Sequence, residues 1–161
     1  MIKEFNYKKW ANQELIDSIA QIDSVKYPDK FRLAVRLLNH TYVADQIFKA
    51  HLTGNGHSYT WVNTDETPSL TMLKAQIETC DDWYIDYVST LNDDDRKRDV
   101  HFTFTDGEKG TMDVAEICSH ILIHGAYHRG NIGMVLADCD VEKPNDIFTR
   151  FLHHSESERR K

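Results

Sequence analysis

Three histidines, His120, His124 and His128, stand four residues apart in the segment SHILIHGAYHRGNIGMVL. On a helix, residues at i and i+4 share a face and lie about 6 Å apart along the axis, so two imidazoles can reach one metal ion. With His120 set at zero, His124 falls at about 40° and His128 at about 80° around the helix. Val114, Ile117, Ile121, Ile132 and Val135 cluster around about 100°. His128 is therefore expected in the middle of the buried face, His124 toward one side of it and His120 at its edge.

A tetrahedral zinc site needs at least one more protein ligand. His40 is the candidate, because it continues the apolar stripe Leu33, Leu37, Ala44 and Ile47. His51 shares that face but lies about 16 Å further along, too far to join the same ion on an unbroken helix. A lone histidine on an apolar face is usually a core residue with one satisfied hydrogen bond. Three imidazoles buried without partners would be costly, and one divalent ion satisfies all three together. The chain has no HExxH, no GxSxG, no P-loop and no GxGxxG. Glu116 precedes His120 by four residues, so the Glu-x-x-His pair of di-iron bundles is missing as well.

Four helical patterns must position these residues. Phe5, Trp10, Ala11, Leu15, Ile19 and Ile22 mark the first, over about residues 2–21. The second runs over about 30–53, after Pro28, with Leu33, Leu37, Ala44, Ile47 and Phe48 as its stripe and Gly54 at its end. The third covers about 68–91, with Thr67 as its cap and Pro68 in its first turn. The fourth covers about 113–138, opened by a capping box of Asp113 and Glu116. Between the last two, Val100, Phe102 and Phe104 alternate with polar residues, and Asp106-Gly107 signals a turn, which predicts a short hairpin.

The long loop TGNGHSYTWVNTDETP is expected to cover something. A short docking helix is expected from Asn145 or Asp146, and SESERRK reads as a frayed end. The expectation is one all-α domain over residues 1–161, a four-helix bundle with a short β-hairpin between helices three and four.

The 161 residues are 40% hydrophobic and carry a net charge of −7, which opposes nonspecific contact with nucleic acid. No run of about 18 apolar residues could span a membrane, and the start MIKEFNYKKW lacks a signal-peptide core. Cys80, Cys118 and Cys139 form no CxxC pair and are odd in number, so a reducing cytoplasm is the expected location.

Three segments give the chain a family resemblance. NYKKWANQELID, LLNHTYVADQIF and HILIHGAYHRGNI resemble, in order, the tyrosine-x-x-tryptophan-alanine-asparagine segment, the first-histidine segment and the histidine-x-x-x-histidine-arginine-glycine signature of the DinB family, within the DinB/YfiT-like superfamily. Carried over by position, the resemblance implies His40, His124 and His128 as the metal triad. It also implies a four-helix bundle whose order differs from simple up-down-up-down, one zinc or nickel ion per chain, and a homodimer. One departure is Asn131, where the family usually has glutamine. Asn131 lies at about 20°, beside His124, so its shorter side chain alters a contact behind the ligands.

Three neutral imidazoles leave an ion with an open position, the pattern of catalytic rather than structural sites. Such a position can bind a thiol as thiolate or lower the pKa of water. Some relatives use a low-molecular-weight thiol, so the resemblance favours thiol activation in a transferase-like reaction on a small-molecule substrate. The alternatives are a hydrolase using metal-bound hydroxide and a non-catalytic metal-binding stress protein. No general acid or base is evident. Asp45, Tyr127, Tyr59 and Trp61 could approach the site, though each has a structural role as its simpler reading. Arg129 lies off the histidine face, where an acidic neighbour or a dimer contact would use it.

Overall fold

The computed structural model describes residues 1–159. Helices α1 (Ile2–Ile19), α2 (Pro28–Thr53) and α3 (Leu70–Thr90) are followed by a short helix α4 (Asp93–Arg96). Strands β1 (Asp99–Thr103) and β2 (Lys109–Asp113) lead into α5 (Val114–Ala137), and α6 (Phe148–Ser155) ends in a 3-10 turn, Ser157–Arg159. The fold is mostly α with one two-stranded antiparallel hairpin. The SESERRK segment falls partly outside the described residues; within them Glu156 pairs with Lys3 and Arg159.

Local chemistry sets the element ends. Pro28, with its fixed φ, begins α2, and Gly54 ends it at φ +69°, a left-handed conformation that costs glycine little. Asp113 and Glu116 form the expected reciprocal capping box at the start of α5. The cap of α3 is Ser69, whose side chain accepts from the Met72 amide, so this helix starts two residues beyond the expected position at Pro68. The last helix begins at Phe148 rather than at Asn145 or Asp146. Asp146 has other partners: its carboxylate takes Arg129 Nε at 2.9 Å and the Tyr7 hydroxyl. The hairpin pairs Val100 with Met112 and Phe102 with Gly110.

The four long helices form a ring in the order α1, α3, α2, α5, so α1 and α2 face each other only across the diagonal. This differs from an up-down-up-down bundle, in which consecutive helices are neighbours. Two apolar clusters fill the ring. One holds Leu15, Ile19, Leu38, Leu73, Ile132 and Leu136. The other holds Phe5, Phe48, Tyr84, Ile117, Ile121 and Phe102 from the hairpin.

Along each helix, buried polar residues separate the two clusters. They are Lys8 and Asn12 on α1, Asp45 on α2, Asp81 on α3 and Arg129 on α5. Lys8 lies 2.8 Å from Asp45 and also contacts Asp81, whose other oxygen accepts from Asn12 at 2.9 Å. Burial works against the Lys8 charge, but the two aspartates outweigh it and hold its pKa above the usual lysine value. Burial pushes Asp45 up to about 6 despite Lys8.

The α2 stripe is offset from the expected one. Its buried apolar positions are Ala34, Val35, Leu38, Val43, Ile47, Phe48 and Leu52, so Ile47 and Phe48 are buried as expected, while Leu33 is 44% exposed and Leu37 and Ala44 are half-buried. Leu37 still packs against the edge of the core, and one turn further on His40 meets His124 of α5 and Val62 of the long loop.

Candidate metal centre

His40 lies mid-way along α2, and His124 and His128 lie one turn apart on α5, the helix that packs most closely on α2. The ligand atoms of the three imidazoles all lie within 4.8 Å of one another. Ring centroids are 5.0 Å apart for His40 and His124, 4.6 Å for His40 and His128, and 4.5 Å for His124 and His128. Each of the three is half-buried. Among the described residues no fourth His, Cys, Asp or Glu joins the group.

The orientation of His40 is fixed from behind. Its Nδ1 lies 2.7 Å from the Val62 carbonyl, and a carbonyl only accepts, so Nδ1 carries the proton. The Nε2 lone pair then faces His124 Nε2 at 3.1 Å. Val62 belongs to the long loop, which Asn39 and Arg36 hold against α2: Asn39 donates to Asn63 and Thr64, and Arg36 to the Thr64 carbonyl at 2.5 Å. The loop thus covers the site as expected, but through Val62. Trp61 is 65% exposed, and neither it nor Tyr59 lines the cavity beside the imidazoles.

Electrostatics favour the neutral form of His124 and His128. Burial, then the neighbouring His128 and His40, lowers His124 to about 4. Burial, followed by His40, also lowers His128. Neutral imidazole is the form that binds a metal. His128 Nδ1 is buried with no hydrogen-bond partner. Such orphans are rare in folded proteins unless water or an ion serves them. Three neutral nitrogen donors, one oriented by a backbone carbonyl, fit a divalent cation.

The other candidates take different places. His120 stacks on His124 at 5.3 Å and tilts against Phe48 at 5.0 Å, outside the close group of three. His51 also stays outside it. The Asp45 carboxylate is bound to Lys8 and is not an acid or base at the imidazoles. Tyr127 is 67% exposed, with its ring edge-on to His128. Arg129 does find an acidic neighbour, Asp146.

Sequence reasoning missed the charged layer behind the site, although a signal existed. Lys8 interrupts the apolar stripe between Phe5 and Leu15, and Asp81 the stripe between Ile77 and Tyr84.

A family model described as the DinB family matches residues 2–160. The chain is 24% identical over 144 residues to a protein named Protein DinB from Bacillus subtilis (strain 168), a match that covers 83% of each chain. No solved structure matches.

Proposed function

The chain belongs to the DinB family, and from that premise we propose that it is a metal-dependent enzyme that activates a small thiol for attack on an electrophilic small molecule. The observation that carries this reading is the convergence of His40, His124 and His128 without a fourth protein ligand among the described residues. Structural zinc sites are closed by four protein ligands, whereas catalytic ones keep a position open. When bound, a zinc or nickel ion supplies Lewis acidity, which lets a thiol or a water lose its proton near neutral pH.

The residues of the chain do the rest. The Val62 carbonyl fixes His40 and raises its basicity as a donor. The lowered proton affinity of His124 and His128 keeps them available as ligands at neutral pH. His120, itself packed against Phe48, stacks on one face of His124 and keeps water from it, which strengthens electrostatic interactions within the site.

The test is to titrate a small thiol into cobalt-substituted protein. Thiol activation requires a new sulfur-to-metal charge-transfer band. No spectral change, together with turnover of ester or amide substrates, would replace this reading with a metal-dependent hydrolase.

Two further expectations accompany the proposal. Three buried, unpaired cysteines suit a reducing compartment, and we assign the protein to the cytoplasm. No helix among the described residues is long and apolar enough to cross a membrane. We also propose a homodimer of two copies of this chain. Every exposed α5 residue between Glu116 and Asp138 is uncharged, and Ile123, Tyr127 and Met134 are 70%, 67% and 63% exposed. An uncharged strip of this length suits a self-complementary contact across a two-fold axis.

A further inference from the structure

The pair His40 and His124 also forms one wall of a cavity of about 310 Å³ between α2, α5 and the hairpin. Phe48, Phe102, Phe104 and Met112 supply most of its remaining apolar wall, with Ala44 on the α2 side and His51, His120 and Thr105 as polar points. No lysine, arginine, aspartate or glutamate lines it. Four other hollows on the protein each have a charged side chain in the wall, such as Arg129, Lys49, Glu14 or Glu66. The uncharged cavity is the one that opens onto the imidazoles.

The hairpin builds this wall. Phe102 pairs across the ladder with Gly110, and a Cβ at Gly110 would come within 2.7 Å of the Phe102 ring and 2.9 Å of the Phe104 ring. Glycine there lets both rings lie over β2. Phe102 then meets Phe48 edge-on at 5.7 Å and Phe104 edge-on at 5.0 Å. Edge-on rings around a hollow present the contacts that aromatic ligands favour.

We propose that this cavity holds the uncharged apolar body of the substrate, an aromatic or branched-alkyl group joined by a short spacer to the part that meets the imidazoles. The proposal rests on the three-histidine site as the reactive centre. Size supports it, since a cavity of roughly 150 Å³ is enough for benzene, and this one is about 310 Å³. It has room for one ring with a short side chain. Charge supports it too. A buried ionic group would find no counter-ion in these walls and would be excluded by its desolvation cost. His51 and His120 can each serve one neutral polar substituent.

The test uses benzyl alcohol and benzylammonium as probes of the full-length protein, followed by NMR of the Met112 methyl and the Phe102 ring. Benzyl alcohol should shift both signals in a saturable way, and benzylammonium should bind at least tenfold more weakly. Ala44→Phe, which fills the cavity from α2, should weaken benzyl alcohol at least tenfold while metal content stays the same. Phe104→Ala, at a position 47% exposed and outside the two core clusters, should weaken it several-fold, and decides the matter if Ala44→Phe does not fold. Unmoved Met112 and Phe102 signals in the wild type, or undiminished affinity in the folded variants, would overturn the proposal. His128→Ala separates the two readings, because His128 belongs to the histidine group but does not line the cavity, so the variant should lose metal and keep the benzyl alcohol shifts. Purified protein without metal that still binds benzyl alcohol would sink the metal-centre reading and leave the cavity standing.

Discussion

The Nε2 atoms of His40 and His124 face each other across 3.1 Å from two different helices. That approach exists because Val62 holds the far side of the His40 ring and because α2 and α5 are neighbours in the ring of helices. Two lone-pair nitrogens so close repel each other unless a proton or a cation lies between them.

His120 stacks on His124 but stays out of the triad. His120→Ala should keep the metal stoichiometry of the wild type. Its affinity should fall by no more than about 10–100-fold, the range for residues that orient a ligand. Elemental analysis and chelator competition measure the two quantities. Metal loss equal to that of His128→Ala would put His120 among the ligands and contradict the triad.

Lys8 bridges Asp45 and Asp81 in the buried layer. Lys8→Met leaves those carboxylates without their partner and should cost about 3–5 kcal/mol, the usual penalty for breaking a buried ion pair. Adding Asp45→Asn and Asp81→Asn should recover much of the loss. Denaturant unfolding of the variants provides the check, and a Lys8→Met protein as stable as the wild type would contradict it.

The histidines also set a pH dependence for the metal-free protein. His124 sits at about 4 when folded, against 6.5 for an ordinary histidine. Between these values the unfolded chain binds more protons, so stability falls as pH drops from about 6.5 to about 4. Asp45 acts in the opposite sense: raised from 3.8 to about 6, it binds its proton more tightly when folded, and its contribution fades as pH rises through that window. Comparing wild type with His124→Gln isolates the histidine part. The variant should lose less stability on acidification, and parallel curves would refute the assignment.

The dimer is tested by light scattering at micromolar concentration, where the mass should be about twice 18.8 kDa. Ile123→Lys together with Met134→Lys puts charge into the exposed strip of α5 and should give monomers with unchanged metal content. A monomeric wild type would end the proposal.

Much of this arrangement is legible in the sequence because it is local. The four-residue spacing of His124 and His128, the capping box at Asp113 and the Asp106-Gly107 turn depend on neighbours within one or two turns. The rotation of α2 is not local. Leu33 and Leu37 look like core residues by period, yet the bundle buries Ala34, Val35 and Leu38 and leaves the His40 face to the long loop. The Val62 carbonyl behind His40 is equally hidden, since a backbone group has no signature in the sequence. The last helix starts late because Asp146 is drawn to Arg129 and Tyr7, partners 17 and 139 residues away.

The measurement that tests the central claim most directly is the elemental content of protein purified without chelator or polyhistidine tag, for the wild type and for His40→Ala, His124→Ala and His128→Ala. The wild type should carry about one zinc or nickel ion per chain, and each substitution should remove most of it while helical content is retained. A wild type without metal, or His124→Ala with its full complement, would contradict the three-histidine site.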